Sequence, residues 1–201
     1  MTTAGIVVAA GKGERFGGDK ALVRLGGRPL WEWARDLLAT AGADPVIVVG
    51  DTPGGIPGGR RRRDSVRAGL YAAMDSEFVL VHDAARPLAS LALVSSVLAR
   101  LHAGGVDGVI PVLPVRDTLK RIQGDQVAST TDRGDLAAAQ TPQGFITETL
   151  LRSHDASDED ATDDAELVER FGGVVVVVAG EERNLKITYP GDLAIAESLL
   201  R

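Results

Sequence analysis

The segment Ala9-Ala10-Gly11-Lys12-Gly13-Glu14-Arg15-Phe16-Gly17-Gly18-Asp19-Lys20 directly follows an apolar run, Ala4 to Val8, that reads as a buried first strand. A glycine-rich, cation-bearing loop in that position lies on the carboxyl edge of a sheet, where open α/β folds bind ligands. Glycines let main-chain N–H groups approach an anion closely, and Arg15 and Lys20 carry the charge that neutralises a polyphosphate. Two common phosphate loops are excluded by counting. A dinucleotide fingerprint from Gly11 and Gly13 needs a glycine where Phe16 stands, and a Walker loop needs Gly-Lys-Ser/Thr where the chain has Gly18-Asp19-Lys20. A plain strand-to-helix connector is the alternative reading, and the bracketing cations favour ligand binding over it.

A second set of reactive residues lies at Val79-Leu80-Val81-His82-Asp83-Ala84-Ala85-Arg86-Pro87, with an Asp and an Arg just past another buried strand and on the same edge. A carboxylate there suits Mg²⁺, which favours oxygen ligands and binds through one or two carboxylates plus substrate phosphates. The competing reading is a loop Asp that caps the next helix or pairs with Arg86.

The elements that position these residues alternate between strand-like and helical patterns. Leu30, Trp33, Ala34, Leu37, Leu38 and Ala41 recur at helical spacing behind Pro29 and stop at Gly42, and Pro45 to Val49 reads as strand two. Asp64 to Met74 predicts a helix with Asp64 or Ser65 as N-cap, Phe78 to Val81 a third strand, Ser90 to His102 a helix, and Gly108 to Val112 a fourth strand. Helical patterns follow at Thr147 to Ser153 and Thr162 to Phe171, then the strand Val174 to Val178 and a helix after Pro190. The expected fold is α/β, a Rossmann-like, mostly parallel twisted sheet with helices on both faces. Between about 114 and 141, Val115 to Ile122 and Gln126 to Thr131 form a predicted hairpin through Gly124-Asp125. It is too poor in apolar residues to stand alone and requires cover.

With 201 residues, 44% of them apolar, the chain suits a single domain over 1–201 with that arm as its appendage. A formal charge of −6 argues against a nucleic-acid binder. With no cysteine and three scattered histidines, no transition-metal cluster is expected. No apolar run matches a membrane span or signal peptide, so a cytoplasmic protein without membrane partners is expected. Arg60 to Arg63 with Arg67 form a basic run, and Asp155 to Glu166 an acidic one. Runs of this kind read as solvated surface, and the arginines alone leave phosphate attraction open. His82 is expected to pack or hydrogen-bond beside strand three, His154 to sit at an exposed helix end, and Trp31 and Trp33 to cover the core.

Gly11 to Lys20, Arg63-Asp64-Ser65-Val66, His82 to Pro87, Pro114 to Lys120, Thr131-Asp132-Arg133, Gln140-Thr141-Pro142-Gln143, Ala161 to Asp164 and Asn184 to Thr188 together resemble, in order and over nearly the whole chain, the 2-C-methyl-D-erythritol 4-phosphate cytidylyltransferases of the non-mevalonate isoprenoid pathway. The resemblance implies that CTP and a sugar-alcohol phosphate meet in the site, giving 4-diphosphocytidyl-2-C-methyl-D-erythritol and pyrophosphate by in-line attack. It implies catalytic roles for Arg15, Lys20 and Lys186 and a Mg²⁺ ligand in Asp83. Ala9, Ala10, Gly11, Gly59, Ser65 and Ala84 would bind the nucleotide. Arg86, Thr118, Arg133, Thr141 and Thr162 would bind the acceptor, Thr118 and Arg133 reaching in from a second subunit whose arm embraces the first in a homodimer. Family members often carry an acidic residue where this chain has Arg60, so Arg60 is given no role. A ribitol-5-phosphate cytidylyltransferase shares most of these motifs. A molybdenum-cofactor guanylyltransferase and a non-catalytic nucleotide-binding module fit them less well.

Overall fold

A computed structural model of the chain describes residues 1–11, 16 and 23–200. Strand β1 (Thr3–Val8) leads over the short hairpin β2 (Arg24–Leu25) and β3 (Arg28–Pro29) into helix α1 (Leu30–Thr40) and strand β4 (Val46–Val49). Helix α2 (Arg62–Ala72) returns the chain to β5 (Phe78–Asp83), and α3 (Leu91–His102) carries it to β6 (Gly108–Pro114). The hairpin β7 (Leu119–Gln123) and β8 (Gln126–Thr131) follows, then β9 (Ala137–Ala139), β10 (Gln143–Ile146), α4 (Thr147–Ala156), α5 (Asp164–Arg170), β11 (Val175–Ala179) and α6 (Pro190–Leu199).

The main sheet runs β11-β6-β10-β5-β1-β4, with β9 pairing the far end of β6. β1 is parallel to both β4 and β5, and β11 is parallel to β6. One strand, β10, is antiparallel to both of its neighbours and sits in the middle. The sheet is therefore mostly parallel, as expected, with an inserted reversed strand that periodicity did not reveal. Glycine makes the insertion possible: a Cβ on Gly144 would lie 2.8 Å from Val97 of α3, and one on Gly108 would lie 2.7 Å from the Phe145 ring.

Alternation along the strands feeds two cores. Val7 and Leu80 face α1 and α3 through Leu38, Val94 and Val97, while Ile6, Val79 and Val81 face α2, α4 and α5 through Val66, Leu70, Leu150 and Val168. Burial on both faces explains why all six residues of β5 are buried. Because α1 leads from β1 to β4 on one side and α2 leads back to β5 on the other, strand order reverses at β1. That reversal opens a crevice at the carboxyl ends of β1 and β5, where Ala9 to Gly11 and Asp83 to Arg86 emerge.

Element limits moved at charged or capped ends. α2 starts at Arg62 with Arg61 in the N-cap position, and Asp64 instead accepts the Arg61 N–H from the third helical residue at 3.1 Å. The first arm strand starts at Leu119, not Val115, and Arg116 ahead of it makes an exposed pair with Glu182. The arm itself is a two-stranded sheet with Ile122 and Val127 69% and 62% exposed. It carries no core of its own.

Candidate active site

Asp83 ends β5 with its carboxylate almost fully buried and both oxygens engaged by cations. Arg62 Nε donates to Oδ1 at 3.2 Å and Lys186 Nζ donates to Oδ2 at 2.7 Å. Burial alone would raise the carboxyl, but Arg62 and then Lys186 outweigh it and hold Asp83 well below the usual carboxylate range. The group is ionised throughout the neutral range.

The main chain at Asp83 is fixed from below by a hydroxyl relay. Thr141, 5% exposed, accepts the Asp83 N–H at 3.0 Å and lies 2.9 Å from His82 Nδ1, while His82 Nε2 lies 3.1 Å from the Arg86 carbonyl. A carbonyl only accepts, so Nε2 carries the proton and Nδ1 accepts from the Thr141 hydroxyl. Burial pushes His82 down to about 4, which keeps this neutral tautomer in place. His82 thus hydrogen-bonds beside its strand, as its position indicated.

Lys186 is presented by a loop stitched to β5 and to the β9–β10 junction. Fully buried Asn184 donates to the Thr141 carbonyl at 2.8 Å, Gln140 bridges to the Glu181 carbonyl at 2.9 Å, and the Ile187 N–H reaches the Ala85 carbonyl at 2.8 Å. Arg86 closes the knot by donating to the carbonyls of Asn184 at 2.8 Å and Ala139 at 3.3 Å. Its guanidinium and the Thr141 hydroxyl therefore both face inward as supports of the rim. Burial lowers the Arg86 pKa despite the nearby Asp83.

On the other side of the crevice, Ala9, Ala10 and Gly11 leave β1 against the loop 50–59. A Cβ on Gly58 would lie 2.2 Å from the Ala10 Cβ, so the bare backbone of Gly58 packs directly on the Ala10 methyl. Buried Ser65 accepts the Gly59 N–H at 3.0 Å and shapes that wall. Ala84 is buried at the end of β5. Arg15 and Lys20 lie outside the described residues. Thr118 and Arg133 lie exposed at the base of the arm, and exposed Thr162 directs its N–H and hydroxyl to Glu166 at 2.7 and 2.8 Å.

The arginine run and the acidic run, read separately as solvated surface, are partners. Arg61 pairs with Asp64 and Asp158, each at 2.8 Å, and Arg62 joins Asp83 to Asp164, the latter at 2.8 Å. Arg63, only 2% exposed, donates to the carbonyls of His154, Ser157 and Glu159 and so ties down the end of α4. Arg60 alone of the four is exposed. Asp164 is fully buried, and burial, which would raise its carboxyl, is outweighed by Arg62 and by a hydrogen bond from His154. His154 is a correction: it is not at an exposed end but fully buried, with Nε2 3.2 Å from Asp164. The helix α4 runs on to Ala156 and α5 folds over it, which a helical pattern ending at Ser153 did not reveal. Arg62 and Asp164 were missed as site residues. The signal available was the opposite sign of the two runs.

A sequence model of the family described as "IspD: 2-C-methyl-D-erythritol 4-phosphate cytidylyltransferase" matches residues 3–201. The 2-C-methyl-D-erythritol 4-phosphate cytidylyltransferase of Rhodococcus jostii (strain RHA1) is 45% identical over 212 residues, covering 97% of this chain and 93% of the relative. The bifunctional enzyme IspD/IspF of Rhodospirillum rubrum is 42% identical over 98% of this chain and 57% of its own length. The crystal structure of 2-C-methyl-D-erythritol 4-phosphate cytidylyltransferase from Thermus thermophilus superposes with a TM-score of 0.84 at 38% identity, over 98% of each chain. Sequence match and fold together show the family: the chain belongs to the 2-C-methyl-D-erythritol 4-phosphate cytidylyltransferase family.

Proposed function

We propose that the chain performs its family's reaction, transfer of the cytidylyl group of CTP to 2-C-methyl-D-erythritol 4-phosphate, at the rim where β1 and β5 end. The observation that carries the reading is Asp83, kept ionised between Arg62 and Lys186 beside a backbone-lined crevice. In this reading the acceptor phosphate oxygen attacks the α-phosphorus in line and pyrophosphate leaves, with no covalent enzyme intermediate. Positioning and fixed charge then carry the catalysis.

The main-chain groups of Ala9, Ala10, Gly11 and Gly59, shaped by Ser65 and Ala84, recognise the base, and Arg15 and Lys20 bind the triphosphate. Lys186, 42% exposed at its side chain, meets the reacting phosphate with donors that Asp83 does not use. Asp83 suits Mg²⁺ as a protein carboxylate ligand, since it is an ionised oxygen donor and phosphate oxygens supply further ligands. Bound there, Mg²⁺ would neutralise phosphate charge. Arg86 and Thr141 support the acceptor side, and Thr162 lies on the segment that borders it. Thr118 and Arg133 reach the neighbouring subunit's acceptor in a homodimer formed through the arm. Among the described residues no helix is long and apolar enough to cross a membrane.

Pyrophosphate release from CTP tests this directly. It is expected only when methylerythritol phosphate and Mg²⁺ are both present, to stop with EDTA, and to resume with excess Mg²⁺. Equal or faster release with ribitol 5-phosphate, or with GTP in place of CTP, would overturn the substrate assignment, and full activity in EDTA would overturn the metal.

A further inference from the structure

Four ionisable side chains form one continuous chain from the acidic segment to the rim. His154 Nε2 lies 3.2 Å from Asp164 Oδ1, Asp164 Oδ2 2.8 Å from Arg62 Nη1, and Arg62 Nε 3.2 Å from Asp83 Oδ1. Asp164 and His154 are 0% exposed and out of reach of any ligand. Asp164 is the first residue of α5 and stands two residues after Thr162, so it is rooted in the acceptor-side segment. The same segment is anchored beneath by Arg63 and to β10 through Asp163, whose carboxylate accepts from Gln143 at 2.9 Å.

We propose that Asp164 and Arg62 are positioning residues of the transfer reaction: Asp164 holds the Arg62 guanidinium against Asp83, sets that carboxylate at the rim, and couples the acceptor-side segment 157–164 to the nucleotide side. A guanidinium suits this bridge, because its planar fork meets two carboxylates through separate nitrogens, Nε on Asp83 and Nη1 on Asp164, whereas an ammonium is a single point of charge. The proposal rests on the assignment of Asp83 to the nucleotide rim. Its outcome separates from that assignment because the wild-type protein is measured alongside.

Asp164→Asn keeps the shape and one acceptor oxygen but removes the charge, and Arg62→Lys keeps the charge but removes the fork. Each is expected to lower kcat by about tenfold, the scale of one lost charged hydrogen bond, with KM for CTP changed less than about threefold and the melting transition retained. The double variant is expected to be no slower than the slower single one, since the contacts act in series. Asp158→Asn is the control. It breaks the exposed pair with Arg61 between the same two segments without touching Asp83, and should leave kcat unchanged. Hydrogen exchange gives a reading free of turnover: CTP with Mg²⁺ should slow exchange in residues 157–164 of the wild type and not in either variant.

Additive losses in the double variant, wild-type kcat in folded Asp164→Asn, or the same exchange response in wild type and variants would overturn the proposal. A wild type that turns over no CTP at all would instead remove the assignment on which it rests. Should Asp164→Asn fail to fold, Arg62→Lys tests the other end of the same chain by the same measurements.

Discussion

His82 shows how one side chain ties acid sensitivity to the site. Its folded pKa is pushed from 6.5 to about 4 by burial, so the native state prefers the neutral ring that the Thr141 hydroxyl and Arg86 carbonyl require. Above pH 6.5 both folded and unfolded chains carry a neutral ring and His82 contributes no pH dependence. As pH falls from 6.5 towards 4 the unfolded chain takes up a proton that the folded chain refuses, and stability drops by about 3 kcal/mol in total. The carboxylates of Asp83 and Asp164, both held below their ordinary range, are present in wild type and variant alike and cancel in a comparison of the two. Denaturant unfolding of wild type and His82→Gln across pH 4 to 7 should show a steeper decline for the wild type. Parallel curves would mean that the ring is not kept neutral by the fold.

At the scale of elements, the crevice depends on two segments that meet where one of them carries no side chain, at Gly58 against the Ala10 methyl. Gly58→Ala would place a methyl 2.2 Å from the Ala10 Cβ, and neither atom can rotate away because both are fixed to the main chain. The loop must shift, moving the groups proposed to read cytosine. KM for CTP is therefore expected to rise about tenfold while the melting temperature changes little, since Gly58 lies on an exposed loop outside the sheet. Unchanged CTP kinetics would show that the base is bound elsewhere. Much of this architecture was legible in the sequence, because long apolar strands such as Phe78–Asp83 and capped helices such as Leu91–His102 behind Ser90 advertise themselves locally. β10 did not, as Gln143-Gly144-Phe145-Ile146 follows a proline and owes its strand form to partners on both sides. The rim carboxylate Asp83 and Lys186 were legible through family motifs, whereas Arg62, Asp164 and His154 were not. Arg62 and Asp164 lie 102 residues apart in sequence, and a charge run read alone gives no sign of the opposite run that neutralises it.

For the molecule as a whole, the arm sets the terms. A two-stranded hairpin with Ile122 and Val127 exposed gains little stability by itself, and a second copy that covers it would supply the missing burial through an isologous exchange. If the exchange also delivers Arg133 to the neighbour's acceptor, each site combines residues from two chains. Protomers carrying Arg133→Ala and protomers carrying Lys186→Ala should then each be nearly inactive alone. In a heterodimer of the two, the subunit with intact Lys186 faces a partner with intact Arg133, and that one site works. Random mixing makes about half of the dimers heterodimers with one working site of two, so activity should return to about a quarter of wild type. Affinity tags of two kinds would establish that mixed dimers have formed. Mixed dimers without any return of activity would place Arg133 in its own subunit's site or outside the chemistry, and a fully active Arg133→Ala homodimer would remove it from the site altogether.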